Sequence, residues 1–246
     1  MKLTFCVRNI RFMNTNAQFR AIIFDVDGTL FDTLPSLSAA ANSVLVQAGL
    51  HEVATPLLRA ALNEGLRAMF RQSIALQASP VEPGLARQLE EEYMDQYMQR
   101  WLPAAPLFDH VHEALLALKA LDMKLGICTN RDRASTDVLL TQAGIAGLFD
   151  IVVGMGDAPR PKPAADPLLM VLERMGIPAA AALLVGDSYM DASCARLSQV
   201  GFAAHLGGYA VHPGDLLPHM TSFSDYNEFT SWVLGRQSAN KEACHA

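Results

Sequence analysis

Ala21-Ile22-Ile23-Phe24-Asp25-Val26-Asp27-Gly28-Thr29-Leu30-Phe31-Asp32 is the stretch on which the reading of this chain turns. Four apolar residues run without interruption into Asp25 and Asp27, and a glycine follows. A short apolar run bounded by a turn signal predicts a strand buried on both faces. Asp25 then stands at its carboxyl end, where open α/β sheets bind ligands. Side chains two apart on extended backbone point the same way, so Asp25 and Asp27 can face one reacting group. Gly28 lets the chain turn sharply past it. Burying unpaired carboxylates is costly, so two acids here argue for chemistry over a solvated turn.

Two rival readings are testable on the sequence. A calcium loop starting at Asp25 would need acidic or amide ligands at its first, third and fifth positions and glutamate at its twelfth. The fifth is Thr29 and the twelfth Ser36, so that reading fails. The other rival is the phospho-accepting aspartate of a signalling receiver domain, which also sits at a strand end. The remainder of the chain decides it.

The 246 residues allow one large domain or a core with a smaller insertion. Hydrophobic residues make up 51% and charged residues 18%, ample for a sizeable core. The net charge of -6 carries no basic face and argues against nucleic-acid binding. An anionic substrate must therefore be drawn in by a metal or a few local cations. Cys6, Cys128, Cys194 and Cys244 form no CxxC pair, which argues against a zinc or disulfide framework. The 11 methionines are scattered and read as core filler. No apolar window is long enough to span a membrane. The apolar run Leu3 to Val7 is too short for a secretory core. The first 24 residues hold no acid and include Arg8, Arg11 and Arg20, a pattern shared with transit peptides. The expectation is a disordered leader over residues 1–20, or a start at Met13, in a cytoplasmic protein.

After the first strand, residues 35–102 show helical spacing and no credible strand. One helix is predicted over Leu34 to Gly49, and another from Thr55-Pro56, with threonine as its cap, broken at Gly65. A third runs Leu85 to Trp101, with Glu90-Glu91-Glu92 as a solvated face. From Pro103 the pattern alternates. Helices His110–Leu121, Asp132–Ala143, Asp166–Met175 and Tyr189–Gln199 are interleaved with strands Leu125–Cys128, Ile151–Val153, Ala182–Val185 and Phe202–His205. A last strand at Thr221–Phe223 precedes helix Tyr226–Leu234, and Gln237–Ala246 reads as a loose tail. Such alternation implies a parallel sheet with helices on both faces. The expected fold is a Rossmann-like α/β core of residues 21–34 and 103–236 with an inserted helical cap, 35–102.

Polar residues close the later strands: Thr129-Asn130-Arg131, then Gly186-Asp187-Ser188 with Asp191 four residues on. Between them Arg160-Pro161-Lys162-Pro163 stiffens the backbone around one lysine. Alone, Thr129 or Asp187 could cap a helix, Lys162 could be solvated, and Asp191 could serve the helix dipole. Together, three acids, a lysine and a hydroxyl converge on one edge of one sheet.

On these residues the chain resembles the haloacid dehalogenase superfamily, and within it the phosphoglycolate phosphatase-like branch. The motifs are Asp25-Val26-Asp27-Gly28-Thr29-Leu30, Thr129, Lys162 and Gly186-Asp187-Ser188-Tyr189-Met190-Asp191, and the resemblance spans roughly residues 21 to 235. The insertion falls where that branch keeps its cap, which the receiver-domain reading does not explain. The resemblance implies a phosphatase acting on a small phosphate ester. Asp25 would be nucleophile and Asp27 general acid and base. Thr129, Lys162 and the N–H groups following Asp27 would hold the phosphoryl oxygens. Mg2+ would lie at Asp25, the Asp27 carbonyl, Asp187 and Asp191. Dehalogenases of the superfamily lack an acid at Asp27, so phosphoryl transfer is preferred. Asn130, Arg131, Gly65 and Arg67 are candidate substrate-binding residues; an exposed helix arginine is the plain alternative for Arg67. The stretch from Ala192 to Gly201 is more polar than the family's usual alanine-rich helix. A phosphomutase of the β-phosphoglucomutase type and a non-catalytic binding protein of the same fold are the rival functions. The oligomeric state is left open.

Overall fold

In β1 (Ala21–Phe24) the side chains alternate between two apolar clusters, Ile22 and Phe24 facing one and Ala21 and Ile23 the other. A central parallel strand needs that arrangement. A computed structural model describes residues 18–101 and 105–243. Its sheet adds β2 (Lys124–Asp132), β3 (Ile151–Met155), β4 (Ala182–Gly186), β5 (Gly201–His205) and β6 (Thr221–Phe223). All pairings are parallel, in the order β3-β2-β1-β4-β5-β6. The chain walks outward from β1 to β3, then returns to the other side of β1 for β4. That reversal makes the carboxyl ends of β1 and β4 the place where a crevice opens.

Leu168, Val171 and Leu172 of α7 (Asp166–Met175) and Cys194 and Ala195 of α8 (Tyr189–Leu197) cover one face. On the other lie α5 (Val111–Ala120), α6 (Arg133–Gln142) and α9 (Tyr226–Ala243). The same cluster continues into the insertion through α1 (Leu34–Gln47), α3 (Leu66–Ala75) and α4 (Pro83–Gln96). Insertion and sheet are therefore packed on shared apolar side chains.

Several elements depart from the sequence reading. Phe19 and Arg20 are no leader: Phe19 is buried against Trp232, and Arg20 is hydrogen-bonded to Ala181 and Lys124, extending the β1 pairing backward. The rest of the expected leader, residues 1–17, with the possible start at Met13, lies outside the described residues. Thr55 caps no α-helix; its hydroxyl is 2.8 Å from that of Ser38, a 3-10 turn spans Thr55–Leu57, and only the short α2 (Arg59–Leu62) follows. Glu90 is not solvated: it is buried and paired with Arg67 and Arg71. The last helix does not stop at Leu234 but runs on to Ala243, and Gln237, expected in a loose tail, is buried and donates to the Phe19 carbonyl. Among the described residues no helix is long and apolar enough to cross a membrane.

Candidate active site

Gly28 adopts φ +76°, a turn that removes the chain from β1 immediately after Asp27. A Cβ there would lie 2.7 Å from both Asp187 Cγ and the Tyr209 ring, so only glycine lets this turn approach the acid on β4. The sheet thereby brings Asp25, Asp187 and Asp191 together, with ligand atoms all within 4.8 Å of one another.

Lys162 lies between two of them, its Nζ 2.9 Å from Asp25 Oδ1 and 2.6 Å from Asp191 Oδ1. Burial alone would lower the ammonium, but Asp191 and Asp25 outweigh it and hold it charged, well above its ordinary range. Burial also raises the Asp25 carboxyl to about 6, with Lys162 opposing and Asp191 adding to the rise. Asp187 is pushed up by burial and then by its two acidic neighbours. Its oxygens accept from Thr29 Oγ1 at 2.8 Å and the Tyr209 N–H at 2.6 Å. Asp191 is already spent: Oδ1 takes Lys162, and Oδ2 takes the N–H and hydroxyl of Ser188, closing the capping box that starts α8.

Asn130 does not offer its amide to a ligand. It exchanges two 2.9 Å hydrogen bonds with the Lys162 backbone and reaches the Asn63 carbonyl of the insertion. Thr129 accepts from the Arg131 N–H and keeps its own hydroxyl proton for the cavity it lines. The N–H groups expected to cradle an anion after Asp27 are occupied: Gly28 donates to Phe31, and Thr29, Leu30 and Phe31 donate to Val26, so the turn consumes its own donors. Arg131, fully enclosed, grips both oxygens of Asp27. Arg67 does not line this cavity. It stands two residues past Gly65 on α3, and that helical step turns it away from the cavity onto Glu90 and Glu91.

Gly65 itself lines the cavity with Leu62 and Asn63, roofing Asp25, Thr129 and Lys162. The space between these residues leaves about 10 Å³, room for about one water. Three participants left no local signal in the sequence. Tyr209 bridges Asp32, Leu34 and Asp187; Thr33 donates to Asp27; and the Arg59 guanidinium of the insertion bonds the Gly208 carbonyl. Tyr209 and Arg59 pair with residues far along the chain, whereas Thr33 reaches Asp27 six residues back across the turn at Gly28.

The family model for haloacid dehalogenase-like hydrolases matches residues 22–205. The chain belongs to that family. This hydrolase is 35% identical to a phosphoglycolate phosphatase of Nitrosospira multiformis, over 72% of its own length and 78% of the relative's. It is 28% identical to an N-acetylmuramic acid 6-phosphate phosphatase of Pseudomonas aeruginosa, over 82% and 88%. Its fold matches the crystal structure of a predicted phosphoglycolate phosphatase from Haemophilus somnus, with TM-score 0.83, 24% identity and coverage of 88% and 98%.

The cluster suits a hard divalent cation. Its donors are all carboxylate oxygens. Asp25 Oδ1 has only the Lys162 ammonium, 2.9 Å away, as a partner among the described residues. Among the described residues four acids (Asp25, Asp27, Asp187, Asp191) are paired with two cations, Lys162 and Arg131. With all four ionised, the surplus of two negative charges matches one divalent ion.

Proposed function

We propose that this hydrolase is a magnesium-dependent phosphatase cleaving a small phosphomonoester through an aspartyl-phosphate on Asp25, with phosphoglycolate the leading candidate. One observation carries the reading: three acids from β1, β4 and α8 converge beside a single buried lysine. In the first half-reaction an Asp25 oxygen bonds phosphorus as the ester P–O bond breaks, and Asp27 gives a proton to the leaving oxygen. In the second, water bonds phosphorus as the bond to Asp25 breaks, and Asp27 takes the water's proton. Lys162 and the Thr129 hydroxyl hold phosphoryl oxygens where charge develops. Asp191 and Asn130 fix Lys162 by its ammonium and its backbone. Magnesium held by Asp25, Asp187 and the Asp27 carbonyl, with Asp191 at the rim of the set, would offset repulsion between a carboxylate and an anionic ester.

The relatives are named for two different esters. The residues that the insertion adds over the cavity, Leu62, Asn63 and Gly65, are uncharged, and the higher identity is to the phosphoglycolate phosphatase, 35% against 28%, which favours the smaller ester. The expectation of a cytoplasmic enzyme belongs to the same proposal. Asp25→Asn is expected to abolish phosphate release while leaving circular dichroism unchanged; undiminished turnover would refute the nucleophile. A panel of phosphate esters with and without Mg2+ separates the rivals. Isomerisation of glucose 1-phosphate would favour a mutase, and no release from any ester a binding protein.

A further inference from the structure

The hydrogen-bonding capacity around Asp27 can be counted. Its two oxygens offer four acceptor positions. Oδ1 accepts from Thr33 Oγ1 at 2.5 Å and from Arg131 Nη2 at 2.6 Å, and Oδ2 accepts from Arg131 Nε at 3.0 Å. One position on Oδ2 is left. A guanidinium only donates, so it holds Asp27 through oxygens that accept.

Arg131 is in turn held from the insertion. Its Nη2 donates to Tyr97 Oη at 3.1 Å, and its Cζ lies 5.5 Å from the centroid of the Tyr97 ring. Tyr97 opens a π-helical turn, Tyr97–Trp101, after α4. It stacks on Tyr93, which stacks on Phe70 of α3 at 4.8 Å between centroids. An aromatic column within the insertion thus ends on the arginine that grips Asp27.

We infer that Arg131 is a positioning residue, set by Tyr97, that holds Asp27 for the second half of the reaction. This rests on the aspartyl-phosphate reading above. In the second half Asp27 must accept a proton from water as the Asp25–phosphorus bond breaks, and the open position on Oδ2 can take it. In the first half Asp27 must carry a proton to the leaving oxygen, and a guanidinium across both oxygens gives no help there. Arg131 therefore acts mainly on breakdown of the intermediate. A substrate contact is the competing role, because Nη1 is the one guanidinium nitrogen without an acceptor among the described residues.

Rapid mixing with p-nitrophenyl phosphate and Mg2+ tests this, because nitrophenolate departs without a proton. With Arg131→Met, the burst of nitrophenolate is expected to keep its wild-type rate and approach one per active site. The steady phase should slow by roughly 10- to 100-fold, part of the ~10²–10⁴ that a positioned proton-transfer group supplies. KM should hold. Arg131→Lys should recover only part of the loss, since an ammonium cannot bond both oxygens in a fork. Should Arg131→Met fail to fold, Tyr97→Phe removes one oxygen and is expected to show a smaller change of the same sign. A rise in KM alone, an equal slowing of both phases, or no change in either would overturn the assignment. No release by the wild type from either p-nitrophenyl phosphate or phosphoglycolate would instead remove the phosphatase reading, and this role with it.

Discussion

Asp25 and Asp187 are carboxyls whose burial favours the protonated form, and that has a sign that can be checked. A carboxyl raised in the fold binds its proton more tightly there than in the unfolded chain. The stability it brings is full below its ordinary value of 3.8 and is lost as pH rises through about 6. For Asp25 alone a rise of about two units corresponds to roughly 3 kcal/mol, and Asp187 acts in the same direction. A divalent cation that binds the ionised acids offsets this loss. The gain in Tm on adding Mg2+ is therefore expected to be small at pH 4.5 and to grow through pH 6 to 7. A gain that does not vary with pH would contradict the cluster as the binding place. The acids, Thr129 and Lys162 were legible because each closes a strand or sits in a stiffened loop, so the sheet alone brings them together. The grip of Arg131 on Asp27 was not legible, because the partners are 104 residues apart and Tyr97 arrives from the insertion.

At the scale of elements, the turn before α3 is the sharpest test. Gly65 adopts φ +107°, and a Cβ would stand 3.3 Å from Met155 Cε and 3.4 Å from the Asn130 carbonyl. Gly65→Ala is expected to cost about 1–3 kcal/mol, lowering Tm by roughly 2–4 °C per kcal/mol. It should also lower kcat/KM, because the turn roofs the cavity. An unchanged melting curve would show that the turn relaxes freely. The strand ends and α7 followed directly from apolar runs and glycine stops. β2 was read short because polar Thr129, Asn130 and Arg131 continue it past the apolar run, through an irregular register with β3. Phe19 and Arg20 were hidden in an acid-free, arginine-bearing stretch. The length of α9 depends on Gln237 meeting Phe19, a contact between the two ends of the described chain.

At the scale of the molecule, the cavity leaves about 10 Å³ for a water-sized group, so an ester is expected to enter as the insertion shifts from the strand ends. Among the described residues its polar links there are Arg59 to Gly208, Asn63 to Asn130, and Tyr97 to Arg131. Hydrogen exchange is expected to be faster in residues 59–75 than in β1 and β4, and to slow in the presence of Mg2+ with a substrate-like oxyanion. Equal protection across both regions would argue that the enclosure opens by another route. The apolar cluster running from Phe24 and Leu30 into Phe70 and Tyr93 has a further consequence. An excised lid would leave greasy surface bare on both pieces, so grafting a whole lid from a relative would break the foundation along with the roof. New substrate preferences in this chain are reached more cheaply by rewriting Leu62, Asn63 and Gly65, which line the chamber while the shared keel beneath stays untouched.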